Sequence, residues 1–550
     1  MSGTAKRSQR SAISAPVALH QIQQASAGTG KTFALSNRFL RLVALGAPPE
    51  SILAATFTRK GAGEIMDRVI GRLCHAAGDA SAARQLGEFL GIDLNQETAR
   101  QLLRRMCTGL HRLQIGTIDS FFHRLARVMS LDLGLPLDWD IAEGTSLTPL
   151  VRQALAAMLG DQQIVELLQL ISPGDADRSI AERALETIGQ TYELYRESLP
   201  SAWEQELNHP PVRGEDVGAF IARWSDLVIE RDKQRNRWLA ELEFLSLAAW
   251  DDLADSTPLA NVNGNNYRYY GAMPENLVEA YRELSTLVAR AVRHELGQRT
   301  AAAGELAARY ARELHPRQVR QGVLRFDDIT YLLNGVADVL DGMAQTRLDT
   351  RIEHVLLDEF QDTSPSQWRV LAPLVERVTA MGSRGSFYCV GDKKQAIYAW
   401  RGGVAEIFDA VESRLAGRLE PCEPLVASRR SAQPIIDTVN RTFANLGAVN
   451  EPDESPNRTI LDQVQSSFPH HITALTDVPG YVALERVEAI KGDPELTQQE
   501  AGRIAVLQRV VEEVCRIHAS IPTATVGVLL RSNAHIAWLV HQLQLKQIPA

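Results

Sequence analysis

The sequence has few cysteines, no paired cysteine motif and no long apolar run. Its 5 cysteines stand far apart in 550 residues without a C-x-x-C pair, which argues against a zinc or iron–sulfur framework. Reduced, mostly buried thiols are typical of a cytoplasmic protein, and that is the location we expect. Since no apolar run approaches the length of a membrane span, we expect no membrane partner.

An overall positive charge is also absent, because the net charge is −9. The charge is uneven along the chain: residues 1–130 carry +9 and the remainder carries −18. A basic amino-terminal quarter suits contact with a phosphate backbone, but a basic surface exposed only to water would have the same composition. The length predicts three or four globular domains.

The most informative segment is ASAGTGKT at residues 25–32, which has the layout of a phosphate-binding loop that opens a helix. Gly28 and Gly30 allow backbone N–H groups to close around phosphate oxygens, where a Cβ would crowd them. Lys31 can reach the β- and γ-phosphates, and Thr32 can offer its hydroxyl to Mg²⁺. A glycine-rich turn before an ordinary helix is the alternative interpretation.

Every residue of this loop is a candidate for nucleotide binding. The candidates are Ala25, Ser26, Ala27, Gly28, Thr29, Gly30, Lys31 and Thr32. The first position departs from the usual pattern, which has glycine where this chain has Ala25. The helix that follows, predicted over residues 32–45, would point its positive dipole end at the anion.

Two further segments predict strands that end in polar residues. Residues 352–357 (IEHVLL), predicted as a buried strand, lead into Asp358 and Glu359. Asp358 can hold Mg²⁺ and Glu359 can deprotonate an attacking water, although an acidic turn exposed to solvent is the alternative. Residues 387–395 form a second short strand with a Gly-Asp turn, which would bring Gln395 to the carboxyl end of the sheet, where ligands of α/β sheets bind.

Two aromatic segments are candidates for contact with a nucleic acid strand. Trp400 stands beside Arg401 and before paired glycines, which suits base stacking with phosphate contact. A tryptophan in the protein core is the commoner alternative. The tyrosines of residues 261–270 could also stack on bases, but a plain surface loop is the more ordinary interpretation of that segment.

Together these segments resemble the motifs of the UvrD/Rep superfamily 1 helicases, most closely those of the RecB/AddA-type helicase–nuclease subunits. The motifs occur in the family's order, at residues 25–32, 56–65, 117–122, 358–364, 391–403 and 425–431. The sequences TIDSFF at residues 117–122 and GDKKQAIYAWRGG at residues 391–403 favour the RecB/AddA branch. Several motifs in one order are far more specific than any single motif.

The resemblance implies a catalytic role for three residues and a metal role for two. Glu359 would be the catalytic base, and Gln395 would contact the γ-phosphate and the attacking water. Arg430 would stabilise transition-state charge on the γ-phosphate. Thr32 and Asp358 would hold Mg²⁺.

The resemblance also implies contacts with DNA and with adenine. The residues that would touch the single strand are Thr56, Phe57, Thr58, Thr117 and Trp400. Gln9 would be the glutamine that contacts adenine. Where the family has an aromatic residue before the motif arginine, this chain has Arg429, whose guanidinium can still lie flat on adenine.

The implied fold is α/β: a RecA-like P-loop NTPase motor domain with a parallel sheet, a helical insertion and a partial second RecA-like domain. Residues 1–127 and 320–422 would form the first motor domain, and residues 128–319 the helical insertion. Residues 423–550 would begin the second motor domain. Two motifs of full-length relatives, one with a second arginine, are not found, so we expect this last part to need more chain or a partner.

The third region should contain a helix from about Gln433, another over residues 500–518, and a strand over residues 525–531. In the insertion, the apolar residues Leu277 and Ala280, continued by Leu284 and Leu287, recur at helical spacing and predict a core-facing stripe.

These observations favour an ATP-dependent DNA helicase or translocase motor, 3′ to 5′ by analogy, acting in DNA repair or recombination. The expected cofactors are ATP and Mg²⁺. The expected partners are single-stranded or partially duplex DNA and a helicase–nuclease partner subunit. Two alternatives stay open: a regulatory ATP-dependent DNA-binding protein that does not separate strands, and a phosphate-binding-loop enzyme such as a small-molecule kinase.

Overall fold

The computed structural model describes residues 19–142, 147–160, 163–171, 180–204, 210–336, 351–396, 406–449, 456–488 and 498–550. The chain forms two compact units, residues 1–425 and 426–550.

The described strands are short, and those of the first unit's central sheet all run parallel. The strands are β1 (His20–Gln24), β2 (Ile52–Thr56), β3 (Gln114–Thr117), β4 (Asp140–Ile141), β5 (Val323–Leu324), β6 (His354–Leu357), β7 (Ser386–Gly391), β8 (Ala427–Ser428) and β9 (Ile472–Thr473). The central sheet has five of them in the order β1-β7-β6-β2-β3. The predicted parallel α/β sheet is therefore confirmed.

Helices make up most of the remaining described structure. They are α1 (Lys31–Ala44), α2 (Arg59–Gly78), α3 (Ala80–Leu90), α4 (Gln96–Thr108), α5 (Ile118–Val128), α6 (Thr148–Leu159), α7 (Gln163–Ile171), α8 (Ile180–Glu197), α9 (Gly214–Trp224), α10 (Asp232–Ser246), α11 (Trp250–Ala254), α12 (Thr257–Asn263), α13 (Glu275–Gln321), α14 (Phe326–Asn334), α15 (Pro365–Ala380), α16 (Ile407–Arg414), α17 (Gln433–Ala444), α18 (Pro456–Ser467), α19 (Gln498–Ser520) and α20 (Ile536–Leu545).

Both faces of the central sheet are covered by helices. Successive residues of a strand point to opposite faces, so Leu356 of β6 packs in a cluster with α1 to α4. Val355 and Leu357 pack on the other face with α5, α14, α15 and α16. Because both faces are buried, β6 is apolar except for His354, which shares a hydrogen bond with Ser386 (Nδ1 to Oγ, 2.9 Å).

Strand β1 is unusually polar for a strand of a parallel sheet, and its position explains this. It lies at one end of the sheet order. The segment before the end of the first unit runs along its outer edge, where Glu420 N donates to His20 O and Leu425 N donates to Gln24 O, both at 2.8 Å. Polar side chains are tolerated there because only one neighbouring strand of the sheet covers β1.

The helical insertion is built around α13, which is 47 residues long. Its amino-terminal half packs with α9 to α12, and its carboxyl-terminal half packs with α6 to α8. Leu277, Ala280 and Leu284 are buried in the first of these clusters, so the predicted core-facing stripe is confirmed. The helix ends at Gln321 and is followed by Gly322, whose φ of 63° lies in the left-handed region that glycine adopts without strain.

The prediction of a loop over residues 261–270 is partly wrong, because α12 includes the first three of these residues. The Ser256 hydroxyl caps this helix by accepting a hydrogen bond from Leu259 N, and Leu259 and Val262 are buried. The cap and the buried apolar face together stabilise one more helical turn than the polar sequence indicates.

The second unit contains the predicted helices but lacks the predicted strand. Helix α17 begins at Gln433, and α19 includes residues 500–518. Residues 525–531 form no strand, because no described segment pairs with them. Val528 and Leu530 pack instead beside α19 and α20, and Leu529 between them is fully exposed.

Among the described helices, none alone has the length and apolar character to cross a membrane, while the bent pair α6–α7 meets those criteria only when its two helices are taken together.

We predict that the central sheet dominates the stability of the first unit. Leu356→Ala removes a side chain that is 0% exposed, so it should lower the free energy of unfolding by about 2–5 kcal/mol in urea denaturation. Leu131→Ala is the matched control, since Leu131 is 75% exposed and its loss should change stability by less than about 0.5 kcal/mol. Equal effects of the two substitutions would contradict this packing.

Candidate nucleotide-binding site

The carboxyl ends of the parallel strands meet at one edge of the sheet. Strands β1, β7 and β6 are consecutive in the sheet order, so the segments that follow them are neighbours. These segments are the glycine-rich loop after β1, the acidic turn after β6 and the Gly-Asp turn after β7. Open α/β sheets bind their ligands at this edge.

The glycine-rich loop has the conformation of a phosphate cradle. Gly28 and Gly30 have φ values of 74° and 95°, which only glycine adopts without strain. Gly30 is the residue before α1, and the helix begins at Lys31, so its free backbone N–H groups face the loop. The loop is anchored by Ala25 N, which donates to Gly391 O at 2.8 Å.

Lys31 contacts the acidic turn directly. Its ammonium donates to Glu359 Oε2 at 2.6 Å, although the two residues are 328 positions apart. The lysine side chain is 8% exposed and the glutamate side chain 34% exposed, so the pair lies at the mouth of the cradle. Glu359 itself has a φ of 49°, a conformation that is strained for a residue other than glycine and is typical of functional sites.

Asp358 lies behind this pair in a buried position. It is 3% exposed, its backbone N donates to Ala55 O at 2.8 Å, and its carboxylate accepts a hydrogen bond from the Thr32 hydroxyl. Burial, and then the charge of Glu359, raises the pKa of Asp358 to about 6. Thr32 and Asp358 are thus in contact, as the magnesium prediction requires.

A third carboxylate adds to the acidic character of the site. Burial and the nearby Glu359 charge raise the pKa of Asp362 to about 6. Its Oδ1 is buried, and it has no hydrogen-bond partner among the described residues. Carboxylate and hydroxyl oxygens are the ligands that Mg²⁺ prefers, so the donor set around Asp358 fits this ion.

No group of three or more metal-ligating side chains occurs within the described ranges. This is compatible with Mg²⁺, because phosphoryl-transfer sites usually hold it with one or two protein groups together with substrate phosphates.

The turn after β7 is joined to the other two segments by hydrogen bonds. Asp392 is 3% exposed, and its backbone N donates to Gln361 Oε1 at 2.8 Å. Gln361 Nε2 in turn donates to Glu359 Oε2 at 2.7 Å. On the other side, Asp392 Oδ2 accepts a hydrogen bond from Gln395 Nε2 at 2.6 Å. Gln395 therefore lies in the same hydrogen-bonded group as Glu359.

Sequence reasoning assigned no role to four polar residues that complete this group: Gln361, Asp362, Asp392 and Lys394. Gln361 connects two motifs that are far apart in the chain, and only the adjacency of β6 and β7 reveals the connection. The available signal was their position, since each lies in a turn that follows β6 or β7 at the ligand-binding edge.

Four of the five predicted DNA contacts are described, and they lie at the same edge, at the ends of β2 and β3. Thr56 is 2% exposed, while the hydroxyls of Thr58 and Thr117 cap α2 and α5 by accepting hydrogen bonds from Gly61 N and Ser120 N, each at 3.0 Å. Thr58 and Thr117 therefore have structural roles as helix caps, and Thr56 is buried at the end of β2.

Phe57 differs from these threonines because its ring is not fully buried. It is partly buried and lines a cavity of about 660 Å³ between the sheet and the insertion. Asp119 and Tyr331 also line this cavity.

For three predicted site residues the assigned role stays a prediction. Gln9 and Trp400 lie outside the described residues. Arg430 belongs to the second unit, where it is exposed just after β8 and its backbone N donates to Ser428 Oγ at 3.3 Å. Its role at the γ-phosphate stays a prediction.

Comparison with known families agrees with this geometry. The family described as the UvrD/REP helicase N-terminal domain matches residues 5–416. The chain belongs to this family. The family resemblance inferred from the order of the motifs is therefore confirmed.

The chain is similar to RecBCD enzyme subunit RecB of Escherichia coli, with 23% identity over 480 residues that cover 78% of this chain and 38% of that protein. It is 26% identical to RecB of Mycobacterium tuberculosis over 78% of this chain and 30% of that protein. It is 22% identical to an ATP-dependent helicase/nuclease subunit of Streptococcus pneumoniae over 90% of this chain and 43% of that protein. The chain thus spans less than half the length of these relatives.

We predict that the buried Asp358 carboxylate destabilises the protein when no nucleotide is bound. Its pKa is higher in the folded state than in the unfolded state, so folding takes up a proton, and this destabilisation is present above pH 6 and relieved as the pH falls towards 4. Asp358→Asn should therefore raise the free energy of unfolding at pH 7.5 by about 1–3 kcal/mol and reduce its pH dependence between pH 4 and 6.

Urea denaturation at pH 7.5 and pH 5 measures this effect. Asp67→Asn, at an exposed position of α2, is the control and should leave the pH dependence unchanged. A lower stability of Asp358→Asn at pH 7.5 would contradict the interpretation.

Proposed function

We propose that this chain is an ATP-hydrolysing motor that moves single-stranded DNA, as part of a DNA helicase or helicase–nuclease. The observation that carries the proposal is the contact of Lys31 with Glu359 next to the contact of Thr32 with Asp358, at the carboxyl edge of the sheet. In the proposed division, residues 1–127 and 320–422 form the first motor domain, 128–319 an insertion, and 423–550 the start of the second motor domain.

The site supports a simple sequence of events. On ATP binding, Lys31 would exchange Glu359 for the β- and γ-phosphates, and Thr32 and Asp358 would hold Mg²⁺, whose charge would offset that of those phosphates. Release from Lys31 frees the Glu359 carboxylate to orient a water molecule and accept its proton. Gln395, whose Nε2 donates to Asp392 Oδ2 at 2.6 Å, would contact the γ-phosphate.

The same edge of the sheet supports DNA binding. Strands β2 and β3 belong to the same sheet as β1, which precedes the nucleotide loop. A single DNA strand bound to Phe57 would therefore be coupled to movements of the nucleotide-binding edge. The similarity to helicase–nuclease subunits favours DNA over a small-molecule substrate and favours a partner subunit. This is why we prefer a motor to a kinase.

We predict that Glu359→Gln retains nucleotide binding but hydrolyses ATP about 100-fold more slowly, because it removes the base and keeps the shape. Lys31→Ala should instead lose nucleotide affinity. The measurements are steady-state hydrolysis of ATP with and without oligo(dT), and equilibrium binding of a fluorescent ATP analogue.

Glu88→Gln, at an exposed position of α3, is the matched control and should hydrolyse ATP like the unchanged protein. Unchanged hydrolysis in Glu359→Gln would remove Glu359 as the base. Hydrolysis that oligo(dT) does not stimulate would favour the kinase class, and DNA-dependent ATP binding without strand separation would favour the regulatory alternative.

We predict that Phe57→Ala weakens binding to oligo(dT) by about tenfold, because a stacked base is worth roughly 1–3 kcal/mol, and leaves ADP affinity unchanged. Tyr270→Ala is the comparison, since Tyr270 is 63% exposed in the insertion and stacks edge-on against Tyr269 at 4.8 Å. Fluorescence anisotropy with labelled oligo(dT) measures both. If only Tyr270→Ala lost affinity for oligo(dT), the DNA contact would lie in the insertion and not at Phe57.

A further inference from the structure

A second lysine contacts the phosphate cradle at the other end of the loop from Lys31. Lys394 Nζ lies 3.2 Å from Ser26 Oγ, on the second residue of the glycine-rich loop, and 2.8 Å from Asp392 Oδ1. Ser26 is only 6% exposed, so this contact is made at a buried residue of the loop. The ammonium of Lys394 is thus at the strand end of the cradle, while Lys31 is at its helix end.

The neighbouring lysine shows that this placement is specific. Lys393 stands one position earlier in the same turn, but its ammonium pairs with Asp409 Oδ1 at 2.5 Å and lies 5.9 Å from the centre of the Phe408 ring. The two adjacent lysines therefore bind different partners, and only Lys394 has a contact with the loop in the described structure. Net charge of the turn alone does not explain this arrangement.

Asp392 links Lys394 to the rest of the site. Its Oδ1 forms an ion pair with Lys394 Nζ and accepts a hydrogen bond from Lys394 N at 3.1 Å, and its Oδ2 accepts one from Gln395 Nε2. One buried carboxylate therefore holds both side chains. The Lys394 side chain is 28% exposed and has a flexible four-carbon stem, so it can follow a ligand without displacing the turn. A charged ligand at Ser26 would compete with Asp392 for this ammonium.

We propose that Lys394 is a second cation for the terminal phosphate of the bound nucleotide and that it makes the site prefer a triphosphate over a diphosphate. The inference rests on the proposed ATP site. The γ-phosphate is the part of the nucleotide that a diphosphate lacks, and two cations from opposite ends of the cradle neutralise it better than Lys31 alone. Transfer of Lys394 from Asp392 to that phosphate also leaves Gln395 as the remaining side-chain ligand of Asp392.

The test compares the affinities of the full chain for Mg²⁺–ATPγS and Mg²⁺–ADP by isothermal titration calorimetry. Lys394→Ala should weaken ATPγS binding by about tenfold or more, as expected for a lost charged hydrogen bond, and ADP binding by less than about threefold. Lys394→Arg should recover part of the preference for ATPγS. Lys393→Ala, the matched control, should keep both affinities of the unchanged protein.

Each other outcome overturns the proposal. Equal losses for the two nucleotides in Lys394→Ala would indicate a merely structural lysine, and unchanged affinities would show that Lys394 does not contact the terminal phosphate. Lys394→Met, which keeps the length of the side chain without its charge, replaces Lys394→Ala if that variant does not fold. If the unchanged chain binds neither nucleotide, the proposed ATP site itself is wrong. If it binds both and Lys394→Ala has no selective effect, only the role of Lys394 is wrong.

Discussion

The ion pair between Lys31 and Glu359 is the interaction on which the site depends. The two residues come from opposite ends of the first unit's sequence and meet at 2.6 Å only because β1 and β6 run parallel on either side of β7. Parallel order places every strand's carboxyl end at one edge, so a lysine that opens a helix and a glutamate that ends a strand share one cleft. The covered faces of the sheet hold that geometry in place.

The electrostatics of this edge explain why a nucleotide suits it. Three carboxylates, those of Asp358, Glu359 and Asp362, are close together, and burial disfavours charge on two of them. Lys31 and Lys394 partly compensate by pairing with Glu359 and Asp392. A triphosphate with Mg²⁺ would supply phosphate oxygens for the two lysines and a cation for the carboxylates. Both sets of charges would then be compensated.

The sequence was enough to predict the segments that carry the chemistry, but not how they join. The glycines and Lys31 mark the loop, and the predicted helix after it differs from α1 by one residue at each end. The roles of Gln361 and Lys394 were missed because their contacts depend on which strands are neighbours in the sheet. Local sequence does not determine that order. The strand expected over residues 525–531 was wrong because an apolar segment forms a strand only where another strand pairs with it, and no described segment pairs with these residues. Strand β1 is polar because it lies at the end of the sheet, where a strand does not need to be apolar throughout.

A crystal structure of the chain with Mg²⁺ and a non-hydrolysable ATP analogue tests the central claim most directly. We expect the Lys31 ammonium to leave Glu359 and contact the β- and γ-phosphates, with Mg²⁺ bound between Thr32 and Asp358. A nucleotide bound elsewhere on the protein, with the pair between Lys31 and Glu359 intact, would contradict this claim.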